Sequence, residues 1–240
     1  METIILGDGP LGRAIATALV ERGEPYTPPL GRPAGGRHAG HIFEGGGVVF
    51  DASRGDAVRS NVEAALDGGV RRLVIATTGW DDDRAAVDRS LRAAGAAAVA
   101  APNLSLGAAL FLRLIDRAAD LFGAVDGFDP YILEWHRRSK RDRPSGTARE
   151  IARRMRARYA AEPDVAVIRA GASPGMHLVG FDAPGETIEL RLTARDRSAY
   201  ATGALAAADW LTRTPRSPGI HSFDPVVDEL IAPRALAATA

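Results

Sequence analysis

The chain reads as an α/β protein: a doubly wound parallel sheet, with a second domain of α+β type. Three observations lead there. Short apolar runs alternate with helical periodicities through the first hundred residues, the pattern of βαβ units and a parallel sheet. A glycine-rich turn joins the first strand to the first helix. From Val165 to Ala194 consecutive strands with short links follow one another, which suggests an antiparallel or mixed sheet.

Thr3-Ile4-Ile5-Leu6 is an unbroken apolar run and predicts a short buried strand. Arg13 to Arg22 has helical spacing, with Ile15, Leu19 and Val20 placed to face a sheet, and Gly23 stops it. Pro25 to Leu30 is a weak strand. Gly31 to Gly47, rich in Gly, Arg and His, is expected to be largely loop. Val48 to Asp51 is a strand, Asp56 to Leu66 a helix ended by Gly68-Gly69, and Arg72 to Ala76 a strand. Asp82 to Ala94 is a helix and Ala97 to Ala101 a strand. Leu106 to Phe122 is a long amphipathic helix. Tyr131 to Trp135 is a strand, and Ser145 to Tyr159 a helix with Ser145 or Thr147 near its start. Val165 to Arg169, Met176 to Asp182 and Thr187 to Ala194 are strands. Tyr200 to Thr212 is an Ala-rich helix, and the remainder is expected to be a tail.

Gly7, Gly9 and Gly12 match G-x-G-x-x-G between a strand and a helix. Dinucleotide binding needs that context: a tight turn, close backbone approach to a pyrophosphate, and an anion at a helix N-terminus. The alternative is a structural turn with no ligand. Gly7, Gly9, Pro10, Leu11 and Gly12 are therefore candidate cofactor contacts. An acidic residue about twenty positions on would hold the ribose of NAD. Here Tyr26 to Gly40 has no carboxylate but does have Arg32 and Arg37, which suit the 2′-phosphate of NADPH over NADH; a solvated basic surface loop is the other reading. Ala76, Thr77, Thr78 and Gly79, and Pro102, Asn103 and Leu104, follow later strands. Ligands bind beyond the carboxyl ends of parallel strands, so both segments are placed to line a nicotinamide and ribose. Turn chemistry with a cap from Ser105 is the other reading.

Lys140 is the only lysine; the other 29 basic residues are arginine. It lies in Glu134-Trp135-His136-Arg137-Arg138-Ser139-Lys140-Arg141-Asp142-Arg143-Pro144-Ser145-Gly146-Thr147-Ala148. An ammonium is a compact charge that can donate to an anion or release a proton, which a guanidinium effectively cannot. His136 titrates near neutrality and can act as an acid. Ser145, Gly146 and Thr147 offer hydroxyl and backbone donors at a helix start, a seat for an anion. Arg137 and Arg197 could add charge. These are the groups a reductase of an anionic substrate needs. His177, at a strand start, could be structural or interfacial; His38, His41 and His221 are assigned no role.

Composition narrows the classes. At 240 residues, 46% apolar and 25% charged, the chain suits a soluble globular protein of one large or two small domains. Zero net charge gives no global field for nucleic acid or anionic membrane, and the broken basic run from Arg137 to Arg143 makes a poor nucleic-acid patch. With no cysteine there is no disulfide, thiolate metal site or Cys nucleophile, which fits a reducing, cytoplasmic setting. No apolar run reaches membrane length, no basic leader precedes the first strand, and no His/Asp/Glu spacing argues for a metal.

The lysine segment resembles that of dihydrodipicolinate reductases (4-hydroxy-tetrahydrodipicolinate reductases), approximately E-x-H-H-x-x-K-x-D-x-P-S-G-T-A. Glu134, His136, Lys140, Asp142, Pro144, Ser145, Gly146, Thr147 and Ala148 all match. Further matches are Gly9 and Gly12, Asp51, Thr77-Thr78-Gly79, Asn103 and Ser105 before Gly107, Arg169-x-Gly171 with Gly175-x-His177, and Arg197 followed by Tyr200-Ala201-x-Gly203-Ala204. The resemblance implies a Rossmann-type dinucleotide-binding domain over 1–104 and 198–240 around an inserted α+β domain over 105–197 for substrate binding and oligomerisation. It implies hydride transfer from NADPH or NADH to a small cyclic dicarboxylate in lysine (diaminopimelate) biosynthesis, with His136 as proton donor, Lys140 its partner, Ser145, Gly146 and Thr147 on a substrate carboxylate, and a homotetramer. Arg137 stands where the family carries a second histidine. It is bulkier and permanently charged, yet able to hold a carboxylate bidentately. That departure keeps open a same-fold reductase of another cyclic imine or ene-carboxylate. A non-catalytic nucleotide-binding regulatory protein is the alternative of another class.

Overall fold

Two units divide the chain in its structure, a computed structural model that describes residues 2–33, 38, 40–159 and 162–232. One unit comprises Met1–Leu106 and Arg197–Ala240, the other Gly107–Asp196. The chain runs β1 (Glu2–Leu6), α1 (Pro10–Arg22), β2 (Gly46–Asp51), α2 (Val58–Asp67), β3 (Arg72–Ile75), α3 (Arg84–Ala93), β4 (Ala97–Ala100) and α4 (Leu106–Phe122). There follow β5 (Asp129–His136), α5 (Gly146–Arg156), β6 (Asp164–Arg169), β7 (Met176–Ala183) and β8 (Glu186–Thr193), then α6 (Ser198–Arg213), β9 (Gly219–His221) and α7 (Asp224–Ile231).

The first unit is a parallel sheet of order β1-β2-β3-β4-β9. Its strands are buried on both faces, which is why they read as continuous apolar runs. Helix α1 starts with Pro10 in its first turn and ends at Gly23, whose left-handed backbone (φ 67°) lets its N–H reach the carbonyls of Leu19 and Val20. Its buried stripe is Gly12, Ile15, Ala16 and Leu19; Val20 is 60% exposed, contrary to the expected sheet contact. One residue is 100° of helical turn, so Val20 leaves the stripe that Leu19 ends.

The weak strand at Pro25 to Leu30 exists only as two isolated parallel bridges to β1, Thr3 with Tyr26 and Leu6 with Leu30. Pro28 and Pro29, between them, have no N–H to give a ladder. The segment lies beside β1 opposite β2, so the chain reverses its progress across the sheet at β1. The expected loop from Gly31 to Gly47 contains a 3-10 turn, Gly40–Phe43, that seats Phe43 in the core, and β2 begins at Gly46. Arg37 lies outside the described residues.

The expected tail is also structured. β9 adds a parallel edge strand to β4, and Asp88 accepts from the Ile220 N–H at 2.8 Å. Asp224-Pro225 opens α7, which buries Val226 and Val227. Three residues are too few to show a period, which hid β9 in the sequence.

The second unit is a mixed sheet of order β6-β5-β7-β8, with β5 parallel to β6 and antiparallel to β7. Ile132, Val179 and Phe181 pack with Phe111 and Ile115 of α4 and Ile151 and Met155 of α5. Phe122 stacks on Phe181 with centroids 4.6 Å apart. Among the described residues no helix is long and apolar enough to cross a membrane.

Candidate active site

Alternation along β5 puts Glu134 and His136 on the same inward face as Ile132, with Tyr131, Leu133 and Trp135 on the other. Glu134 has no exposed surface, and an unpaired buried carboxylate would be very costly. Its partners come from three elements. Arg169 at the end of β6 donates from Nη2 to Oε1 at 2.6 Å. The backbone N–H of Ser145 donates to Oε1 at 3.0 Å and Oε2 at 3.2 Å. His177 of β7, directly across the ladder, brings Nε2 to 3.6 Å of Oε2. Burial pushes the Glu134 pKa up, but contacts with His177, Ser145 and Arg169 outweigh it and hold the carboxyl well below its usual range.

Ser145 caps α5: its backbone is extended, and its Oγ accepts from the Ala148 N–H at 3.2 Å. The same Oγ lies 3.1 Å from His177 Nε2. Gly146 is exposed and Thr147 half-buried at the helix start, where free N–H groups and the helix dipole favour an anion. In the loop between β5 and α5, Lys140 pairs with Asp142 (Nζ to Oδ1, 2.9 Å), which keeps the Asp142 carboxyl below its usual range. Arg137 is exposed and donates from Nε to Ser139 Oγ at 3.2 Å.

His136 is 8% exposed, and its Nε2 lies 3.5 Å from Glu134 Oε2, buried and without a hydrogen bond. Its pKa is lowered by burial first, then by His177, Lys140 and Arg169, with Glu134 opposing. The structure thus brings His136, Lys140, Arg137, Ser145, Gly146 and Thr147 onto one β5–α5 segment of the second unit. Arg197 belongs to the first unit, exposed at the start of α6, its guanidinium 5.3 Å from the centroid of the Tyr200 ring.

Among the dinucleotide candidates, the turn after β1 has the form a pyrophosphate needs. Gly7 has φ 109°, and a Cβ there would sit 2.3 Å from the Ala52 carbonyl oxygen. A Cβ on Gly12 would lie 1.8 Å from the Gly7 oxygen, whereas one on Gly9 would meet nothing within 4 Å. The turn is closed where helix meets strand and open at the helix N-terminus. Gly9 precedes Pro10 and Leu11 there, and the helix start carries no side-chain cap. Ala76, Thr77, Thr78 and Gly79 follow β3, and Thr77 is tied to the buried Asp51 (Oγ1 to Oδ1, 2.6 Å). Asp51 also accepts from the Ser53 N–H, from Ser53 Oγ and from Asn61, so one carboxylate fixes the carboxyl ends of β2 and β3. After β4, Pro102 is exposed, Leu104 buried, and Asn103 Oδ1 accepts from the Ser105 N–H at 2.9 Å. Arg32 is exposed beyond Leu30.

Sequence reasoning gave no chemical role to Glu134, Arg169, Gly175 or His177, although each matched the family pattern. The signal was a carboxylate two residues before a histidine on an otherwise apolar strand face. Glu134, His136 and His177 also offer three donor atoms within 4.8 Å of one another, enough to approach a metal ion, where no such grouping was expected from spacing. Arg169 already neutralises the carboxylate, and Ser145 already engages His177.

Residues 107–227 match the family profile of the C-terminal part of dihydrodipicolinate reductase. A 4-hydroxy-tetrahydrodipicolinate reductase of Archaeoglobus fulgidus is 35% identical over 199 residues, covering 74% of this chain and 74% of the relative. One from Rhodopirellula baltica is 35% identical over 195 residues, covering 73% and 69%. The fold is similar to that of the dipicolinate-bound dihydrodipicolinate reductase from Paenisporosarcina sp. TG-14, with a TM-score of 0.72 at 17% identity over 92% of this chain and 97% of that one.

Proposed function

The chain belongs to the dihydrodipicolinate reductase family, and from that premise we propose that it reduces 4-hydroxy-tetrahydrodipicolinate to tetrahydrodipicolinate in lysine biosynthesis. Conversion of the hydroxy compound to tetrahydrodipicolinate takes in one hydride and one proton and releases one water. A nicotinamide dinucleotide supplies the hydride when bound. The open, uncapped N-terminus of α1 and its glycine turn fit that group.

The observation that carries the reading is the β5–α5 segment, where a buried imidazole, the only lysine and a serine-capped helix start occur together. The α5 start, with Ser145, Gly146 and Thr147, seats one substrate carboxylate through N–H groups and hydroxyls. Arg137 is exposed and able to hold the other bidentately. His136 delivers the proton, assisted by Lys140. A bound dianion raises the His136 pKa, countering burial and the neighbouring cations, so the acid is charged when substrate is present. Arg32 favours a 2′-phosphate and hence NADPH. Arg197, exposed at the start of α6, is a further cation proposed for substrate binding.

We further propose a cytoplasmic homotetramer built through the mixed sheet. Its outer face exposes Trp135 (38%) and Ile168 (42%) in paired positions on β5 and β6, beside half-buried Leu133. An apolar sheet face of this kind suits burial by another copy. Light scattering tests it: Ile168→Lys should yield smaller species.

The function is tested by following NADPH and NADH oxidation on the lysine-pathway substrate, made in situ by its synthase. Rapid oxidation is expected, faster with NADPH. Lys140→Ala should lower turnover by about 10²–10⁴-fold, the usual span for a proton-transfer group, with dinucleotide affinity unchanged. Tight dinucleotide binding without oxidation would transfer the reading to another cyclic imine or ene-carboxylate, with Arg137→His as the next variant. Binding with no turnover on any such compound would favour a regulatory nucleotide-binding protein.

A further inference from the structure

We propose that Glu134 is a positioning residue for His136: its Oε2 holds the imidazole through Nε2 and leaves Nδ1 as the nitrogen that delivers the proton. The proposal rests on His136 being the acid, and extends to which atom acts and what orients it.

The geometry separates the two ring nitrogens. Nε2 is sealed from solvent, 3.5 Å from Glu134 Oε2, and has no hydrogen-bond partner. A nitrogen so enclosed cannot meet a substrate. The Cε1 and Nδ1 edge of the ring lies against Gly175, where a Cβ would come within 2.9 Å of Cε1 and 3.1 Å of Nδ1. The glycine, at φ 154°, brings no side chain of its own against that edge. Catalytic hydrogen bonds are often long before substrate binds and tighten in the complex, so 3.5 Å is within reach of a small ring movement.

The other contacts reserve Oε2 for His136. Arg169 takes Oε1 at 2.6 Å, and the Ser145 N–H lies nearer Oε1 than Oε2. His177 approaches Oε2 at 3.6 Å but has a nearer partner, Ser145 Oγ at 3.1 Å. His177 Nε2 thus has two acceptors to choose between, the nearer being the Ser145 hydroxyl, whereas His136 Nε2 has the carboxylate alone. A carboxylate fixed in this way selects the Nε2–H tautomer of His136, because a carboxylate against one ring nitrogen of a histidine decides which nitrogen keeps the proton. The charged or titratable groups around the ring are Glu134 on β5, Arg169 on β6, His177 on β7 and Lys140 in the loop after β5. Of these Glu134 alone favours the imidazolium.

The test uses the full chain with ¹⁵N-labelled imidazoles, the His136 resonances identified by their loss in His136→Gln. Neutral His136 should be the Nε2–H tautomer, and no substrate is needed for this reading. It therefore stands or falls apart from the substrate assignment. In Glu134→Gln/Arg169→Met, which leaves neither charge buried alone, the His136 pKa should fall, the tautomer preference should weaken, and kcat should drop at least tenfold with dinucleotide affinity within twofold. The alkaline limb of kcat should move to lower pH, which a merely structural role would not produce. A neutral Nδ1–H tautomer in the unaltered protein overturns the proposal. So does a folded double variant whose His136 titration is unchanged or whose kcat is retained. Should that variant fail to fold, the tautomer in the unaltered protein decides the matter.

Discussion

Replacing Arg169 with methionine tests the site as a packed object. The side chain is 1% exposed, and its partner Glu134 is fully buried. The change removes the 2.6 Å charge-assisted bond and leaves the carboxylate with only the Ser145 N–H and the histidines. Breaking a buried pair from one side costs about 3–5 kcal/mol, because an uncompensated charge remains. At roughly 2–4 °C per kcal/mol for a chain of this size, Tm should fall by about 10 °C at pH 7. Glu134→Gln with Arg169→Met should recover most of the loss, since apolar or neutral replacement of both partners is nearly free. The pH dependence follows from the depressed carboxyl. Glu134 contributes stability that is present above its usual value of 4.5 and lost as pH falls through its lower folded value. Without Arg169 the folded pKa rises, so the deficit of the single variant should shrink on acidification. Thermal melts and urea unfolding of the four members of the cycle, at pH 7 and below 4.5, measure this. A single variant that loses less than about 1 kcal/mol, or a double variant no more stable than the single, would refute the buried-pair reasoning.

Other consequences are local. Gly175→Ala places a methyl against the His136 ring at a backbone angle side chains rarely adopt, and should cost about 1–3 kcal/mol; kcat should fall while dinucleotide affinity, read by fluorescence titration, holds. Thr77→Val removes the 2.6 Å bond to Asp51 and should cost about 1–3 kcal/mol, the usual cost of leaving a buried acceptor short of a donor. Its kinetic mark should be a raised KM for the dinucleotide with little change in kcat. Burial and neighbouring cations lower the His136 pKa, and an acid must be protonated to act, so kcat should decline as pH rises. Because bound dicarboxylate opposes those effects, the limb should lie at higher pH than the His136 titration seen without substrate; coincidence of the two would remove the substrate carboxylates from the argument.

Much was legible in the chain itself. Continuous apolar runs between helical periods require strands buried on both faces, and hence a parallel sheet with helices on either side. The glycine spacing after the first strand foretold the tight turn between β1 and α1, and the lone lysine beside His136 is where the proposed chemistry was read, because residue type alone limits which groups can carry or release a proton. Tertiary structure decided the rest. β9 has three residues, too few for a period, and is recognisable only by its pairing with β4. Val20 fits an apolar pattern yet faces water, because the angle of one residue around α1 separates it from Leu19. Glu134, Arg169, His177 and Gly175 are spread over 44 positions and three strands or their ends, so no local spacing relates them. They meet because register sets Glu134 opposite His177 and His136 beside Arg169. A buried charge must find its counter-charge wherever the sheet provides one, and that is settled by pairing across strands.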